Sequence, residues 1–448
     1  MTNHRNSTQR RLITPESFTD ESTGFSGWRA RLQTNRAIPT PAVLNGRLFV
    51  GGGFGSYDFY ALDAKTGFLD WHFRTGDDGP TSAVLSEGCA IFNTESCTLE
   101  VVEMKSGSLV WDRWLGDPLL GQPAVDAGRV FIVYPQKGDH FLGAFRLSNG
   151  DPLWDVRLEH DVITAPIAID GKVYASTLDG TVWAIDSETG RVDWTRQMQA
   201  TSAPWIYNGE VYVAHRENAA ESEKKAGERE RTQTYNDAAS HERTSKFDAR
   251  SGDNRAAFSV KGAPYLDENW GSGQKASFYQ QDANVGFSQA PAAAKLDISS
   301  KLIGESMVSR TWRFQGSRPV VVDGVLYDTT GDCLEARDPR SGELRWKWND
   351  AQATAGERRL TPPAVANGRI WAGTWDGRLI SWDAASGQVR WSARVGAPCH
   401  WQPVVSNGRV FAGLEDGTLV ALETGDSLDD GWPMWGGGSG HNGTEHRT

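Results

Sequence analysis

Residues 362–391 read PPAVANGRIWAGTWDGRLISWDAASGQVRW, and residues 165–194 read APIAIDGKVYASTLDGTVWAIDSETGRVDW. Each stretch sets short apolar runs between turn signals spaced about ten residues apart, which is the pattern of strands and not of helices. The first turn is Asn367-Gly368 or Asp170-Gly171, pairs that accept positive φ at both central positions of a tight hairpin. The second is Asp376-Gly377 or Asp179-Gly180, and the third runs from Asp383 to Gly387 or from Asp186 to Gly190. A tryptophan, Trp391 or Trp194, follows four residues after that last glycine. Four strands joined by three tight turns form one antiparallel sheet.

The same unit recurs along the chain. Trp71, Trp111, Trp154, Trp194, Trp346 and Trp391 each follow a glycine by four residues, and the steps 71 to 111, 111 to 154, 154 to 194 and 346 to 391 are 40, 43, 40 and 45 residues. A period of this size marks a propeller whose blades are four-stranded sheets. The tryptophan is expected at the end of the outer strand, with its ring wedged against the next blade and its N–H on an acceptor near the rim.

First strands begin near Pro41, Ser82, Pro123, Pro166, Pro204, Pro319, Pro363 and Pro403, which gives eight blades. The last copy lacks its own tryptophan strand. Gly27-Trp28-Arg29-Ala30-Arg31 has the character of that missing piece, so the N-terminal segment is expected to complete blade 8 and remove the free sheet edges. The predicted fold is an all-β, eight-bladed β-propeller over residues 25–425. A flexible N-terminus (1–24) precedes it, and an aromatic and glycine-rich tail (426–448) follows.

Ala61-Leu62-Asp63-Ala64-Lys65-Thr66-Gly67-Phe68-Leu69-Asp70-Trp71 resembles the tryptophan-docking repeat of the pyrroloquinoline-quinone (PQQ)-like propellers. That family includes quinoprotein alcohol dehydrogenases and the outer-membrane assembly lipoprotein BamB. The resemblance implies Trp28, Trp71, Trp111, Trp154, Trp194, Trp346 and Trp391 as structural docking residues. It also implies, for an enzyme of this family, PQQ held with Ca2+. Neither the residues for that cofactor nor the adjacent cysteine pair of many such dehydrogenases maps onto this chain, so no cofactor and no metal site are expected. Trp432-Pro433-Met434-Trp435 is similar to a short aromatic motif at the termini of such proteins.

Composition narrows the function. Net charge is −11 across 448 residues, which gives no global support for binding a phosphate backbone. No apolar run approaches the length of a membrane span. The first residues, MTNHRNSTQRRL, lack the apolar core of a secretory signal, so a cytoplasmic protein is expected, or a periplasmic or secreted one if the native start differs. Cys89, Cys97, Cys333 and Cys399 lie in no metal or disulfide spacing. A simple hairpin register sets Phe92 against Cys97 and Cys89 against Glu100, leaving both thiols free.

Blade 5 departs from the repeat. It carries Ala256 in the tryptophan slot and two insertions. The first, 216–246, is dense in charge and reads as a solvated helix or loop. The second, about 262–315, scatters aromatic residues, among them Trp270, through polar sequence. Long insertions in a compact domain are usually functional or disordered. Both fall on the face where strands 2 and 3 connect and where blades join. The residues just before each first strand, Thr40, Thr81, Gln122, Ala165, Ala203, Arg318, Pro362 and Gln402, should ring the channel mouth on that face. Such a mixed polar ring with one cation suits a small anion or a peptide carboxylate.

Partner-binding candidates are therefore Gln122, Arg318, His400, Trp401, Gln402 and Trp270. No catalytic spacing is present, and Gly438-Ser439-Gly440-His441-Asn442-Gly443 fits a dinucleotide motif by letter only. The expected function is a non-catalytic scaffold holding a protein or peptide partner, with no nucleic acid. The alternative is a PQQ-dependent or other small-molecule enzyme acting at the channel mouth.

Overall fold

The computed structural model describes residues 13–443, apart from 22, 33–35, 54, 117–120, 161, 163–164, 178, 199, 201, 217–241, 260–318, 330–332 and 350–359. Among them the sheets number eight, every one antiparallel. Blade 1 is typical, with strands Ala42–Leu44, Arg47–Gly51, Asp58–Asp63 and Leu69–Arg74 running from the axis outward. The innermost strands are short and buried. The outermost largely alternate half-buried and exposed residues, as in Leu109–Trp114, as one-sided sheets do.

The hairpin pairs fold as their residues demand. Asn45, Asp170, Asn208, Asp323, Asn367 and Asn407 all take positive φ ahead of a glycine that does the same. At the third turn the Asp carboxylate accepts backbone N–H groups two and three residues on. Asp338, for example, accepts from Arg340 at 2.8 Å and from Ser341 at 2.9 Å. These donors hold its carboxyl down at about 2. The first and third turns of a blade bond to each other, as in Ala64 N–H to Gly46 O at 2.9 Å. They share one face of the ring, here the turn face, and the second turns and inter-blade connections form the connection face.

Ring closure follows the sequence expectation. Ser26–Arg31 pairs with Thr418–Glu423, Trp28 lying opposite Ala421. Beyond it, Glu16–Thr19 adds a fifth strand to blade 8, and Ile13 is buried. The ordered fold therefore reaches past the boundary at residue 25, because the new outer edge still offers backbone groups to pair.

Each tryptophan stands third in its outermost strand, as Trp111 does in Leu109–Trp114, and not at the strand's end. In six blades the register shifts just before it. Such a bulge re-aims the side chain, here across the gap to the next blade. Trp71 Nε1 donates to Met104 O at 3.0 Å, Trp154 to Ser187 O at 3.1 Å and Trp194 to Ala249 O at 3.0 Å. The glycine of the next blade lies under the ring. A Cβ on Gly150 would stand 2.8 Å from Trp111, and one on Gly107 would stand 2.6 Å from Trp71. The Gly-x-x-x-Trp spacing thus joins two different contacts, one to the blade behind and one to the blade ahead.

Two local readings change. The hairpin of blade 2 pairs Cys89 with Glu103 and Phe92 with Glu100, because Cys97 sits in the turn at φ 56°. None of the four cysteines forms a disulfide. In blade 5 the segment Glu242–Asp248 is the third strand, paired with Glu210–Arg216. The first insertion therefore ends before Glu242. The rest of it, and residues 262–315, lie outside the described residues.

Candidate functional site

The tail does not hang free. From Glu423 the chain crosses the turn face, where Asp429 accepts from Asn367 Nδ2 at 3.0 Å and pairs with Arg369. It then enters the ring axis. The central N–H of one innermost strand after another donates to it as it winds. Val405 of blade 8 bonds Trp432 O at 2.8 Å, and Val43 of blade 1 bonds Pro433 O at 2.6 Å. Val125 of blade 3 bonds Ser439 O at 2.8 Å, and Ala168 of blade 4 bonds Gly440 O at 2.9 Å. Ile206 of blade 5 bonds Asn442 Oδ1 at 2.7 Å, and its carbonyl takes Asn442 Nδ2 at 3.0 Å.

Trp432, Trp435, His441 and Asn442 are all buried. Trp432 stacks on Trp205 with centroids 5.7 Å apart and planes 8° apart. Gly440 permits the approach, since a Cβ there would lie 2.0 Å from Ala168 O. Asn442 is held in place by both atoms of its amide. Innermost strands leave donors facing the axis, and the tail supplies the acceptors they require.

The strand registers align the ring at the connection face. Ala42, Val84, Ala124, Ala364 and Val404 are equivalent first residues. The ring position two residues earlier is then Thr40, Ser82, Gln122, Pro362 and Gln402, so Ser82 replaces Thr81. Thr81 sits one place back, where hydroxyls tie down the second strand. Asn93 N–H donates to Thr81 Oγ1 at 3.1 Å, as Gly373 N–H does to Thr361 Oγ1 at 2.9 Å and Ala214 N–H to Ser202 Oγ at 3.1 Å.

Gln402 is likewise committed to structure. Its Nε2 donates to Pro363 O at 2.8 Å, its Oε1 accepts Gly436 N–H at 2.8 Å, and its carbonyl accepts Thr40 Oγ1 at 3.0 Å. It joins blades 7, 8 and 1 to the tail.

Gln122 occupies the equivalent position in blade 3 with the opposite outcome. It is 2% exposed, and neither amide atom has a hydrogen-bond partner. Two other sequence candidates share this condition. Trp401 Nε1 is buried without an acceptor. His400 is 4% exposed, and neither ring nitrogen makes a hydrogen bond. Its Nε2 lies 3.2 Å from Glu415 Oε2, and its ring meets Trp375 edge-on at 4.8 Å. A buried polar group left unpaired costs about 1–3 kcal/mol. Unpaired buried polar atoms also occur away from the mouth, among them Nε1 of Trp371, Trp382 and Trp432. Arg318 and Trp270 lie outside the described residues.

Among the described residues no three His, Cys, Asp or Glu side chains converge as a metal-binding group. No helix there is long and apolar enough to cross a membrane.

Fold and site together define an eight-bladed PQQ-like propeller with a plugged axis. A family model described as "Outer membrane protein assembly factor BamB" matches residues 95–263 and 310–432, and the chain belongs to that family. BamB of Yersinia pestis is 24% identical over 216 residues, covering 43% of this chain and 55% of its own. BamB of Moranella endobia is 25% identical over 169 residues, 34% of this chain and 43% of its own. The chain thus spans about half the length of these curated relatives. Quinohemoprotein alcohol dehydrogenase ADH-IIG of Pseudomonas putida is 34% identical over 205 residues, 39% of this chain and 29% of its own.

Among solved structures, BamB of Moraxella catarrhalis superposes with a TM-score of 0.59 at 14% identity, covering 92% of this chain and 98% of its own. Quinohemoprotein alcohol dehydrogenase of Comamonas testosteroni gives a TM-score of 0.57 at 14% identity, over 89% and 76%. At that identity the likeness shows the fold.

Proposed function

We propose that this chain is a non-catalytic scaffold that holds a protein partner at the connection face, around the channel mouth. The observation that carries this reading is the set of unpaired polar groups on Gln122, His400 and Trp401, in a family whose model is described as an outer-membrane assembly factor. A scaffold of this kind needs no cofactor. The cytoplasmic expectation finds no support in such relatives, and a periplasmic setting suits them better. The dehydrogenase relatives keep an enzyme as the second reading.

The test is site-specific cross-linking in the native host. A photoreactive residue at Trp375 should yield a discrete protein adduct, and the same residue at Asn45 on the turn face should not. Equal labelling from both faces defeats the face assignment. Dye-linked alcohol oxidation by purified protein supplied with PQQ and Ca2+ would replace the scaffold reading with the enzyme.

A further inference from the structure

On the rim of the disc, the outer edge of blade 2 has lost a guard that other edges keep. Three places after its docking tryptophan, at the connection-face end of the outermost strand, blade 2 carries Trp114. The six other blades with such a tryptophan carry Arg31, Arg74, Arg157, Gln197, Asn349 and Arg394 there. Charged and polar side chains on an edge strand discourage its pairing with another chain. Trp114 replaces them and is 68% exposed. Leu109 and Val110, at the other end of the same strand, are exposed as well. Asp112 is also exposed and shares a face with Trp114, as side chains two places apart on a strand do.

The chain already uses an edge of this kind once. In blade 8 the outermost strand of the repeat, Ser26–Arg31, does not end the sheet, because Glu16–Thr19 pairs with it antiparallel. Glu16 lies opposite Arg29, one place after Trp28, and the two side chains pair at 3.3 Å. In blade 2, among the described residues, no strand lies beyond Leu109–Trp114. Asp112, one place after Trp111, stands where blade 8 has Arg29, with the opposite charge. Trp114 stands where blade 8 has Arg31.

We propose that the outer edge of blade 2 takes an extended segment of a partner protein as a fifth strand, antiparallel to Leu109–Trp114. Blade 8 is the template, and the inverted charge specifies the occupant. The added strand carries lysine or arginine opposite Asp112, where blade 8 has Glu16. Two places earlier it carries an apolar residue opposite Trp114. Backbone hydrogen bonds supply the affinity, and these two side chains set the register. A second copy of this chain fits the edge less well. Antiparallel self-pairing centred on Asp112 or Arg113 sets like charges directly opposite each other, and pairing centred on Trp111 meets the register shift before it. The rim is separate from the channel mouth, and the proposal does not rest on the groups there.

The experiment uses the full chain and the capped peptide Thr-Ile-Thr-Lys-Thr-Ile. One analogue has glutamate for the lysine, and another has every backbone amide N-methylated. The readout is the indole N–H resonance that disappears in Trp114→Arg. The lysine peptide should shift it saturably. The N-methylated analogue should bind at least about tenfold more weakly, having lost its backbone donors. The glutamate analogue should bind about fivefold more weakly, with a like charge opposite Asp112. Trp114→Arg should weaken the lysine peptide by at least about fivefold, followed by the amide shifts of Leu109–Trp114, and should unfold in urea as the parent does.

Absence of a saturable shift with the lysine peptide overturns the proposal. Equal binding of the N-methylated analogue overturns the added strand, and equal binding of the glutamate analogue overturns the partner chemistry. A parent that sediments as a dimer, with Trp114→Arg a monomer, assigns the edge to a second copy and overturns the proposal too.

Discussion

Lys246 Nζ donates to the Pro339 carbonyl at 3.0 Å, the position that in other blades accepts an indole N–H. In four other blades an alanine of the third strand faces the tryptophan, as Ala61 faces Trp71 and Ala336 faces Trp346. In blade 5 the sizes are exchanged, and Lys246 faces Ala256. The lysine is 6% exposed and pairs with Glu210 at 3.1 Å. Tyr212 donates to Glu210 at 2.7 Å. The vacancy in the tryptophan series is therefore filled from the neighbouring strand. Lys246→Met should lower stability by about 3 kcal/mol, because it strips Pro339 and Glu210 of a buried partner. Urea unfolding measures this. Lys246→Ala combined with Ala256→Trp should recover part of the loss by restoring the ordinary pair.

Two glycines with the same backbone separate ring stacking from φ strain. Gly150 and Gly171 both have φ 72°. A Cβ on Gly171 meets nothing within 4 Å, whereas one on Gly150 lies 2.8 Å from the Trp111 ring. Gly171→Ala should cost about 1 kcal/mol from the left-handed backbone alone. Gly150→Ala should cost about 3 kcal/mol, since the indole must also move. Equal losses in thermal unfolding would mean that the ring contact contributes nothing.

The tail can be dislodged at one atom. Gly440→Ala places a Cβ 2.0 Å from Ala168 O, and backbone cannot yield as a flexible side chain does. Hydrogen exchange should then accelerate at the amides of Val125, Ala168 and Ile206, which donate to the tail. The amides between the outer strands of blade 1 should keep their protection. Unchanged exchange at all three would show that the plug tolerates the methyl group.

The plug should also weaken in acid. Burial pushes His441 down to about 3, against the upward pull of the Trp435 and Pro123 carbonyls at 3.1 and 2.6 Å. Below about pH 6.5 the unfolded chain takes a proton that the folded chain refuses. Stability is then full above that pH and falls by up to about 1.4 kcal/mol per pH unit toward pH 3. His441→Gln should flatten this part of the pH–stability curve. A curve identical to the parent's would place the titration elsewhere.

The legible part was the register of the ring positions. Register-bearing prolines led to the mouth and to Gln122, His400, Trp401 and Gln402, but residue type could not tell the two glutamines apart. Gln402 Oε1 is engaged only because Gly436 arrives from a segment that carries no strand signal. The course of the tail was hidden for the same reason. Its glycines suggest flexibility when taken locally, yet Gly440 is where backbone must pass closest to Ala168. Lys246 was readable in principle, as a lysine in a slot that holds Ala61, Ala144, Ala184 and Ala336 in other blades.

By itself the sequence determined the ring. Turn pairs, strand spacing and the Gly-x-x-x-Trp step are local or nearest-neighbour terms, and a repeat multiplies them until eight blades and the closing strand at Trp28 are fixed. Only the tertiary structure decided what fills the axis and which mouth groups stay unpaired. Those outcomes depend on hydrogen bonds between residues hundreds of positions apart, such as Asn442 with Ile206. No periodicity records such a bond, because each is made once.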